Sequence, residues 1–270
     1  MASLEMIPNV LSIAGSDPCG GAGLQADLKT FAALRCYGLS VVTALTVQNT
    51  RGVYGLSVVA AEFVAAQIDA LFADSDIKAV KIGMLASLDI VEIVAERLAR
   101  YRPPAIVLDP VLAASTGAAL ATGDIAESLV THLAPRVTLV TPNLMEAAQL
   151  AKAPVPESLA DMQEIAKRLH ERGFVAVLVK GGHREAMSCD DVLFDGASFR
   201  VFSMPRVTTR HTHGTGCTLS AAIAAYVALG LDLAQAVEAA KLYLQRALES
   251  ADALNVGEGP GPLNHFHRFW

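Results

Sequence analysis

The fold of this chain is decided by one stretch, Val10-Leu11-Ser12-Ile13-Ala14-Gly15-Ser16-Asp17-Pro18-Cys19-Gly20-Gly21-Ala22-Gly23. Its first five residues predict a short buried strand, and the glycines that follow predict a tight loop. A helix is expected next, over residues 24–37, closed by Gly38. A strand, a glycine loop and a helix in this order bring a ligand to the carboxyl end of the strand.

Two phosphate-binding motifs can be tested at this loop, and both fail. A Walker A loop needs a lysine directly after its second glycine, whereas Gly21 and Ala22 follow Gly20. A dinucleotide fingerprint matches weakly from Gly21 to Ala26. It requires an acidic residue after the second strand, expected at residues 40–47, but Gln48-Asn49-Thr50 stands there.

The rest of the chain continues the alternation of strands and helices. Helices are expected over residues 61–72, 87–101, 125–133, 159–172, 217–229 and 233–251, with another carrying Glu146 and a loop over 113–123. Strands are expected over 79–82, 105–108, 137–141 and 174–179, with a late β-hairpin at 191–194 and 198–203. Continuous apolar strands between helices predict one α/β domain over residues 1–270, with a mostly parallel sheet and helices on both faces.

Composition limits the classes of function. Of the 270 residues, 53% are hydrophobic and 18% are charged, which provides for a large core. A net charge of -6 argues against nucleic acid as a partner. No apolar run is long enough to span a membrane, and the first residues lack the basic start of a secretory signal. The four cysteines form no C-x-x-C pair, so a reduced, cytoplasmic setting is expected.

A second glycine loop, His211-Thr212-His213-Gly214-Thr215-Gly216-Cys217, precedes an apolar helix. Free backbone N–H groups and the helix dipole make such a helix start suitable for a phosphate. Cys217 would lie in the first turn, where the pKa of a thiol is lowered. A glycine-capped helix with a small buried thiol is the alternative that these residues leave open.

Polar residues recur after successive predicted strands, and in a parallel sheet these positions share one edge. They are Asp27, Gln48, Met84 (the one apolar member), Asp109, Asn143, Glu146, Lys180 and Cys217. Taken singly, Asp27 is better explained as a helix-start charge, and Gln48 is explained as a loop amide. Together the positions predict a ligand site at this edge.

Several stretches in the same order resemble the hydroxymethylpyrimidine/phosphomethylpyrimidine kinase family of thiamine biosynthesis, in the ribokinase-like superfamily. They are residues 14–18, 20–30, 43–50, 81–85, 141–143, 180–183 and 212–218. The resemblance covers nearly the whole chain and implies a three-layer α/β/α fold. It also implies ATP- and Mg²⁺-dependent phosphorylation of hydroxymethylpyrimidine, and then of its monophosphate, by a homodimer.

The resemblance also implies site residues. Gly15, Asp27, Gln48, Met84 and Val111 would line the pyrimidine pocket. Asn143 and Glu146 would hold Mg²⁺, Glu146 as the metal-binding carboxylate, and Lys180 would lie near the ATP phosphates. Lys241 is a weaker candidate for the nucleotide pocket. Gly214, Thr215, Gly216 and Cys217 would hold the transferring phosphoryl group. A lowered thiol pKa would favour Cys217 as the base that takes the proton of the substrate hydroxyl, with a positioning role as the alternative.

The chain departs from the family at three places. The family usually has serine where Cys19 stands, asparagine where His211 stands, and a lysine where Ser115 stands. The missing lysine puts a phosphate contact from that loop in doubt. His211/His213 and His265/His267 invite a zinc interpretation, but no third ligand accompanies either pair at metal-like spacing. A pyridoxal or pyridoxine kinase, and a pyrimidine-binding protein without catalysis, are the alternative functions.

Overall fold

The structure, a computed structural model, describes residues 6–112, 124–182 and 187–270 of the protein. In these ranges the strands β1 to β9 are, in chain order, Asn9–Ser16, Tyr37–Asn49, Gly52–Val58, Ile77–Ile82, Ile106–Leu108, Leu139–Val140, Val177–Val179, Ser188–Phe194 and Phe199–Pro205. They form one sheet with the order β3-β2-β1-β4-β5-β6-β7-β8-β9. The six central strands, β2, β1, β4, β5, β6 and β7, run parallel, whereas β3 pairs antiparallel with β2, β8 with β7 and β9 with β8.

Helices cover both faces of the sheet. In the described ranges α1 to α8 are Gly23–Ala33, Ala61–Asp74, Leu88–Tyr101, Ile125–Ser128, Leu144–Ala151, Leu159–Glu171, Thr215–Ala228 and Leu233–Glu249. The fourth continues as a π turn, Leu129–Leu133, and a 3₁₀ turn, Ala134–Arg136, and another 3₁₀ turn, Ala251–Ala253, follows α8. None of the described helices combines the length and apolarity needed to cross a membrane.

Two apolar clusters lie on opposite faces of the sheet. Leu11 and Ile13 point to the cluster under α2, α3, α5 and α6, whereas Val10 points to the cluster under α1, α7 and α8. This alternation is the two-residue period of a strand buried on both sides. The three-layer α/β/α fold with a mostly parallel sheet and a late hairpin, β8–β9, is therefore confirmed.

Several predicted bounds were wrong. The first helix ends at Ala33, and Arg35 then adopts a left-handed conformation (φ 63°) that turns the chain into β2 at Tyr37. Gly38 lies inside β2 rather than at a helix end. Edge strand β3 was not predicted, because its two glycines and exposed side chains give no buried pattern. The predicted loop at 113–123, which includes Ser115, and His183 lie outside the described residues.

Candidate active site

The carboxyl ends of the parallel strands bring three predicted residues to one edge of the sheet. Asp109 follows β5, Asn143 follows β6 and Lys180 follows β7. Asn143 and Lys180 form an isolated parallel bridge, so the two backbone segments stay in register just past the strand ends. The expectation that these positions share an edge follows from parallel pairing alone, and the described chain agrees with it.

The second glycine loop meets this edge through α7, which begins at Thr215, two residues earlier than predicted. Gly214 caps the helix in a left-handed conformation (φ 84°), and a Cβ there would collide with the backbone carbonyl of Gly21. A Cβ at Gly216 would lie 3.2 Å from Lys180 Nζ and 3.5 Å from Asp109 Oδ2. Because neither glycine carries a side chain, the start of α7 packs against both the first glycine loop and the Lys180–Asp109 pair.

Lys180 is the cation of this edge. Its Nζ donates to Asp109 Oδ1 at 2.7 Å and lies 3.9 Å from Glu146 Oε2. Burial alone would lower the pKa of Lys180, but the charges of Asp109 and Glu146 outweigh it and raise the pKa. Lys180 therefore stays positively charged beside the amino end of α7, where an anion would meet both.

Asn143 and Glu146 form a capping box at the start of α5. Glu146 N donates to Asn143 Oδ1 at 2.9 Å, and Asn143 N donates to Glu146 Oε2 at 2.7 Å. Burial raises the pKa of Glu146 to about 7, and the nearby charge of Asp109 adds to this, while Lys180 opposes it. Two buried carboxylates that share one lysine form an oxygen-rich, acidic site that fits Mg²⁺. The amide of Asn143 already serves the cap.

Cys217, the third residue of α7, is partly exposed. Burial raises the pKa of its thiol to about 11, and the nearby charge of Lys81 does not offset this rise. The expected lowering of the pKa at a helix start is therefore wrong for this cysteine. The sequence argument counted the helix dipole but not the loss of water around the sulfur.

The expected apolar part of the pocket lies next to the first glycine loop. Met84 and Ala86 form a small buried cluster with Ala44, and Val111 packs against it. The side-chain methyl group of Met84 occupies the space that a Cβ on Gly15 would need. Gly15 lies near the end of β1 and Ala44 on β2, whereas Met84 and Ala86 follow β4 and Val111 follows β5. The cluster therefore lies at the same sheet edge.

Gln48, the predicted polar contact for the ring, lies beside the second glycine loop. Its Nε2 is 3.3 Å from His213 Nε2, and its Oε1 accepts from Thr46 Oγ1 at 3.3 Å. His213 Nε2 is also 2.8 Å from Asp17 Oδ2. These contacts join the ends of β1 and β2 to the loop before α7.

Asp17 organises the first glycine loop, a role that sequence reasoning missed. Its Oδ1 accepts from the backbone N–H of Cys19 at 3.0 Å, and its Oδ2 accepts from those of Gly21 at 3.1 Å and Ala22 at 2.8 Å. Burial would raise the pKa of Asp17, but the hydrogen bond with His213 and the others lower it to about 2. An aspartate just before a glycine turn was the available signal, since such side chains often bond the backbone ahead.

Asp27 does not open onto the cleft, contrary to the expected contact with a substrate ring. Its side chain is fully buried and accepts from Ser12 Oγ at 2.6 Å and Lys81 Nζ at 2.8 Å, both through Oδ2. Burial raises the pKa of Asp27, with Lys81 opposing the rise. Lys81, also fully buried, had no predicted role, because its partner lies 54 residues away in sequence.

Lys241, the weaker nucleotide candidate, is likewise buried in a structural pair. Its Nζ donates to Asp191 Oδ2 at 2.6 Å and to the carbonyl of Cys189 at 2.7 Å. Asp191 Oδ1 in turn accepts from the backbone N–H of Gly181 at 2.9 Å. Because Lys241 is buried and its Nζ donates to both of these oxygens, the residue supports the loop after Lys180 rather than offering a charge to a nucleotide.

Comparisons with known proteins agree with this fold. The sequence profile of the phosphomethylpyrimidine kinase family matches residues 17–264. The hydroxymethylpyrimidine/phosphomethylpyrimidine kinase of Rhizobium meliloti is 50% identical over 260 residues, covering 96% of this chain and 97% of the relative. The thiamine biosynthesis bifunctional protein ThiED of Geobacter sulfurreducens is 48% identical over 257 residues, covering 95% of this chain and 52% of that protein.

A solved structure gives the same answer for the fold. Pyridoxal kinase of Bacillus subtilis, in an ADP complex, superposes with a TM-score of 0.88 at 33% identity, covering 96% of this chain and 98% of that one. Fold and site together define a ribokinase-like phosphotransferase. Within that class, the chain belongs to the phosphomethylpyrimidine kinase family, whose members use ATP.

Proposed function

We propose that this protein transfers the γ-phosphoryl group of ATP to the hydroxymethyl oxygen of hydroxymethylpyrimidine, and then phosphorylates the monophosphate, for thiamine biosynthesis. The observation that carries the proposal is the approach of Gly216 at the start of α7 to Lys180 and Asp109. Backbone N–H groups, a fixed cation and a pair of carboxylates thus meet at one point, which suits phosphoryl transfer. We further propose that residues 1–270 act as one kinase domain.

The ring would occupy the pocket beside Gly15, with Met84 and Val111 against its faces and the amide of Gln48 bonding its polar edge. The contact between Met84 and Gly15 supports this, since only glycine leaves room there for a flat ring and the methionine. For Asp27 we propose an indirect role. Its carboxylate, paired with Lys81, keeps a neutral ion pair beneath the start of α7 rather than touching the ring.

Lys180 and the N–H groups of Gly214, Thr215, Gly216 and Cys217 would hold the transferring phosphoryl group. Charge stabilisation of this kind is the main contribution that a protein makes to phosphoryl transfer. Glu146 and Asp109, with Asn143 orienting Glu146, would hold Mg²⁺, which when bound neutralises phosphate charge. The pair of buried carboxylates with a raised pKa at Glu146 supports that assignment.

For Cys217 we propose a positioning role. A thiol whose pKa is raised to about 11 is protonated near neutral pH, so it would orient the substrate hydroxyl rather than remove its proton in advance. A loose transition state tolerates this, because the hydroxyl proton leaves late. The comparison of Cys217→Ser with Cys217→Asp in steady-state kinetics separates positioning from proton removal.

The experiment that tests the function measures ADP release with ATP, Mg²⁺ and each substrate, hydroxymethylpyrimidine or its monophosphate. Lys180→Met should lower kcat by about 100-fold, the typical cost of one lost transition-state donor. Lys152→Met is the matched control, since Lys152 is exposed directly after α5 and pairs only with Glu127 among the described residues. If neither substrate gives ADP release, the proposed activity is wrong, and only the fold and the family remain supported.

A pyridoxal kinase activity is the second candidate function. It is favoured by the TM-score of 0.88 to the pyridoxal kinase of Bacillus subtilis over nearly the whole chain. Side-by-side kcat/KM values for pyridoxal and hydroxymethylpyrimidine decide between the two rings. A higher value for pyridoxal would replace the first assignment, and inactivity with both rings would favour a binding protein.

We also propose a homodimer in the cytoplasm. Leu45 and Val47 on β2 and Tyr54 on edge strand β3 are exposed, and a second copy of the chain would cover such an apolar edge. The four cysteines are free, as expected in a reducing compartment. Light scattering on Val47→Glu, which should give a monomer, and cell fractionation test the two statements.

A further inference from the structure

A group of potential metal ligands joins the two glycine loops. Asp17 and Cys19 lie in the loop after β1, and His213 lies in the loop before α7. One ligand atom from each of the three side chains lies within 4.8 Å of the other two. Asp17 and His213 are buried and Cys19 is half-buried, so the three atoms converge in the interior of the junction.

Two of the distances in this group can be compared with those of a tetrahedral zinc site. Bonds of about 2.0–2.3 Å at tetrahedral angles separate a sulfur from an oxygen ligand by roughly 3.5 Å, and a nitrogen from an oxygen by roughly 3.4 Å. Cys19 Sγ is 3.4 Å from Asp17 Oδ2, which fits without movement. His213 Nε2 is 2.8 Å from the same oxygen, so this pair must open by roughly half an ångström.

The chemistry of the present contacts also favours a cation. The thiol of Cys19 donates to Asp17 Oδ2, and the imidazole of His213 shares that oxygen, so protons stand where one metal ion would bind. On binding, the thiol proton is released to solvent and the sulfur ligates as thiolate. His213 ligates through the Nε2 lone pair with its proton on Nδ1, and Asp17 ligates as carboxylate.

The surroundings supply the supports that metal ligands usually need. Backbone N–H groups of Cys19, Gly21 and Ala22 hold the carboxylate of Asp17 in place. The amide of Gln48 lies 3.3 Å from His213 Nε2, so a second polar side chain stands beside the histidine. The carboxylate of Asp17 is therefore held in place from the side of the first glycine loop.

We propose that Asp17, Cys19 and His213 bind Zn²⁺, or a dication of similar softness such as Co²⁺, in a three-ligand site with one open position. Sulfur and imidazole ligands distinguish it from the all-oxygen Mg²⁺ site at Glu146 and Asp109. The histidine pair His211/His213 lacks a third ligand in sequence, and the fold supplies two from the other glycine loop. The bound ion would cross-link the two loops.

Co²⁺ titration of the full chain tests the site, with millimolar Mg²⁺ present to occupy the oxygen ligands. Tetrahedral Co²⁺ bound to a thiolate gives intense visible bands and a thiolate charge-transfer band in the near ultraviolet. We expect both bands at one Co²⁺ per chain, and Zn²⁺ should displace them. Cys19→Ser should weaken Co²⁺ binding by about 100-fold or more and abolish the charge-transfer band, since even supporting residues cost 10–100-fold.

Cys189→Ser is the matched control, because it removes another partly exposed thiol outside the group. His213→Gln is a second variant that keeps the thiol but removes the nitrogen ligand, and circular dichroism verifies the fold of each. Anomalous scattering at the zinc edge tests the unaltered protein, with density expected between the three side chains. The proposal is overturned if no charge-transfer band forms, if the band persists in Cys19→Ser, or if the zinc lies at another thiol.

Discussion

Removing the positive charge of Lys81 should destabilise the protein strongly. Lys81 and Asp27 are both fully buried, 2.8 Å apart, and the Oδ1 atom of Asp27 has no hydrogen-bond partner among the described residues. Ser12 is therefore the remaining support for the carboxylate once the lysine is gone. Loss of one partner from a buried ion pair costs about 3–5 kcal/mol, because the other charge stays buried without compensation.

The free energy of unfolding of Lys81→Met, measured by urea denaturation, should fall by about 3–5 kcal/mol, and its Tm by roughly 6–20 °C. Lys78→Met is the matched control on the same strand, since Lys78 pairs with Asp76 at an Nζ–Oδ2 distance of 2.6 Å but both side chains are exposed. That control should lose less than about 1 kcal/mol. Adding Asp27→Asn to Lys81→Met should recover at least half of the loss, because no buried charge remains.

The loss should also depend on pH in a defined direction. Burial already raises the pKa of Asp27, and without Lys81 the rise is larger. A carboxyl group whose pKa is higher in the folded than in the unfolded state stays protonated to a higher pH in the folded protein. Its contribution to stability therefore falls as pH rises from about 4. The deficit of Lys81→Met should thus be smaller in acid than near neutral pH. A loss below about 1 kcal/mol, or no recovery in the double variant, would refute the reasoning.

Three further predictions follow from single contacts. Lys241→Met should destabilise the protein by about 3–5 kcal/mol, because it leaves the buried charge of Asp191 without its lysine. It should also speed hydrogen exchange at the Gly181 amide, which donates to Asp191. Unchanged exchange at this amide would contradict the link from Lys241 to the Lys180 loop. Gly15→Ala should crowd the methyl group of Met84 and raise KM for the pyrimidine but not for ATP, and an equal rise in both would show a wider distortion. Because the pKa of Cys217 is raised to about 11, the pH profile of kcat should show no titration step near neutral pH that depends on Cys217. A step near neutral pH that is lost in Cys217→Ser would instead indicate a thiolate base.

The sheet and its functional edge were predictable from the sequence because each depends on local pattern. Apolar strands separated by helices dictate a parallel sheet, and parallel pairing then brings Asp109, Asn143 and Lys180 to one edge. The helix start at Gly214 was predictable to within two residues, because glycine punctuation is also local. Edge strand β3 was not, because exposed strands lack the buried run that identifies central ones.

The charged partners were not predictable, because each pair is formed by residues far apart in the chain. Asp27 looked like an exposed helix-start charge, and its burial depends on Lys81, 54 residues later. Lys241 looked available to a nucleotide, and its burial depends on Asp191, 50 residues earlier. The sequence identified chemically suitable residues in both cases, but tertiary packing decides whether a charge faces the cleft or the interior.

Cys217 shows how magnitudes decide between two local effects. A helix amino end stabilises a negative charge by typically 0.3–1 kcal/mol, which alone would lower the pKa of a thiol by less than about one unit. A rise from the ordinary 9.0 to about 11 corresponds to about 3 kcal/mol against ionisation. Loss of water around the sulfur therefore exceeds the helix effect, and the charge of Lys81 is largely committed to Asp27. A raised pKa keeps the thiol at the start of α7 protonated near neutral pH, which is consistent with the positioning role proposed for Cys217.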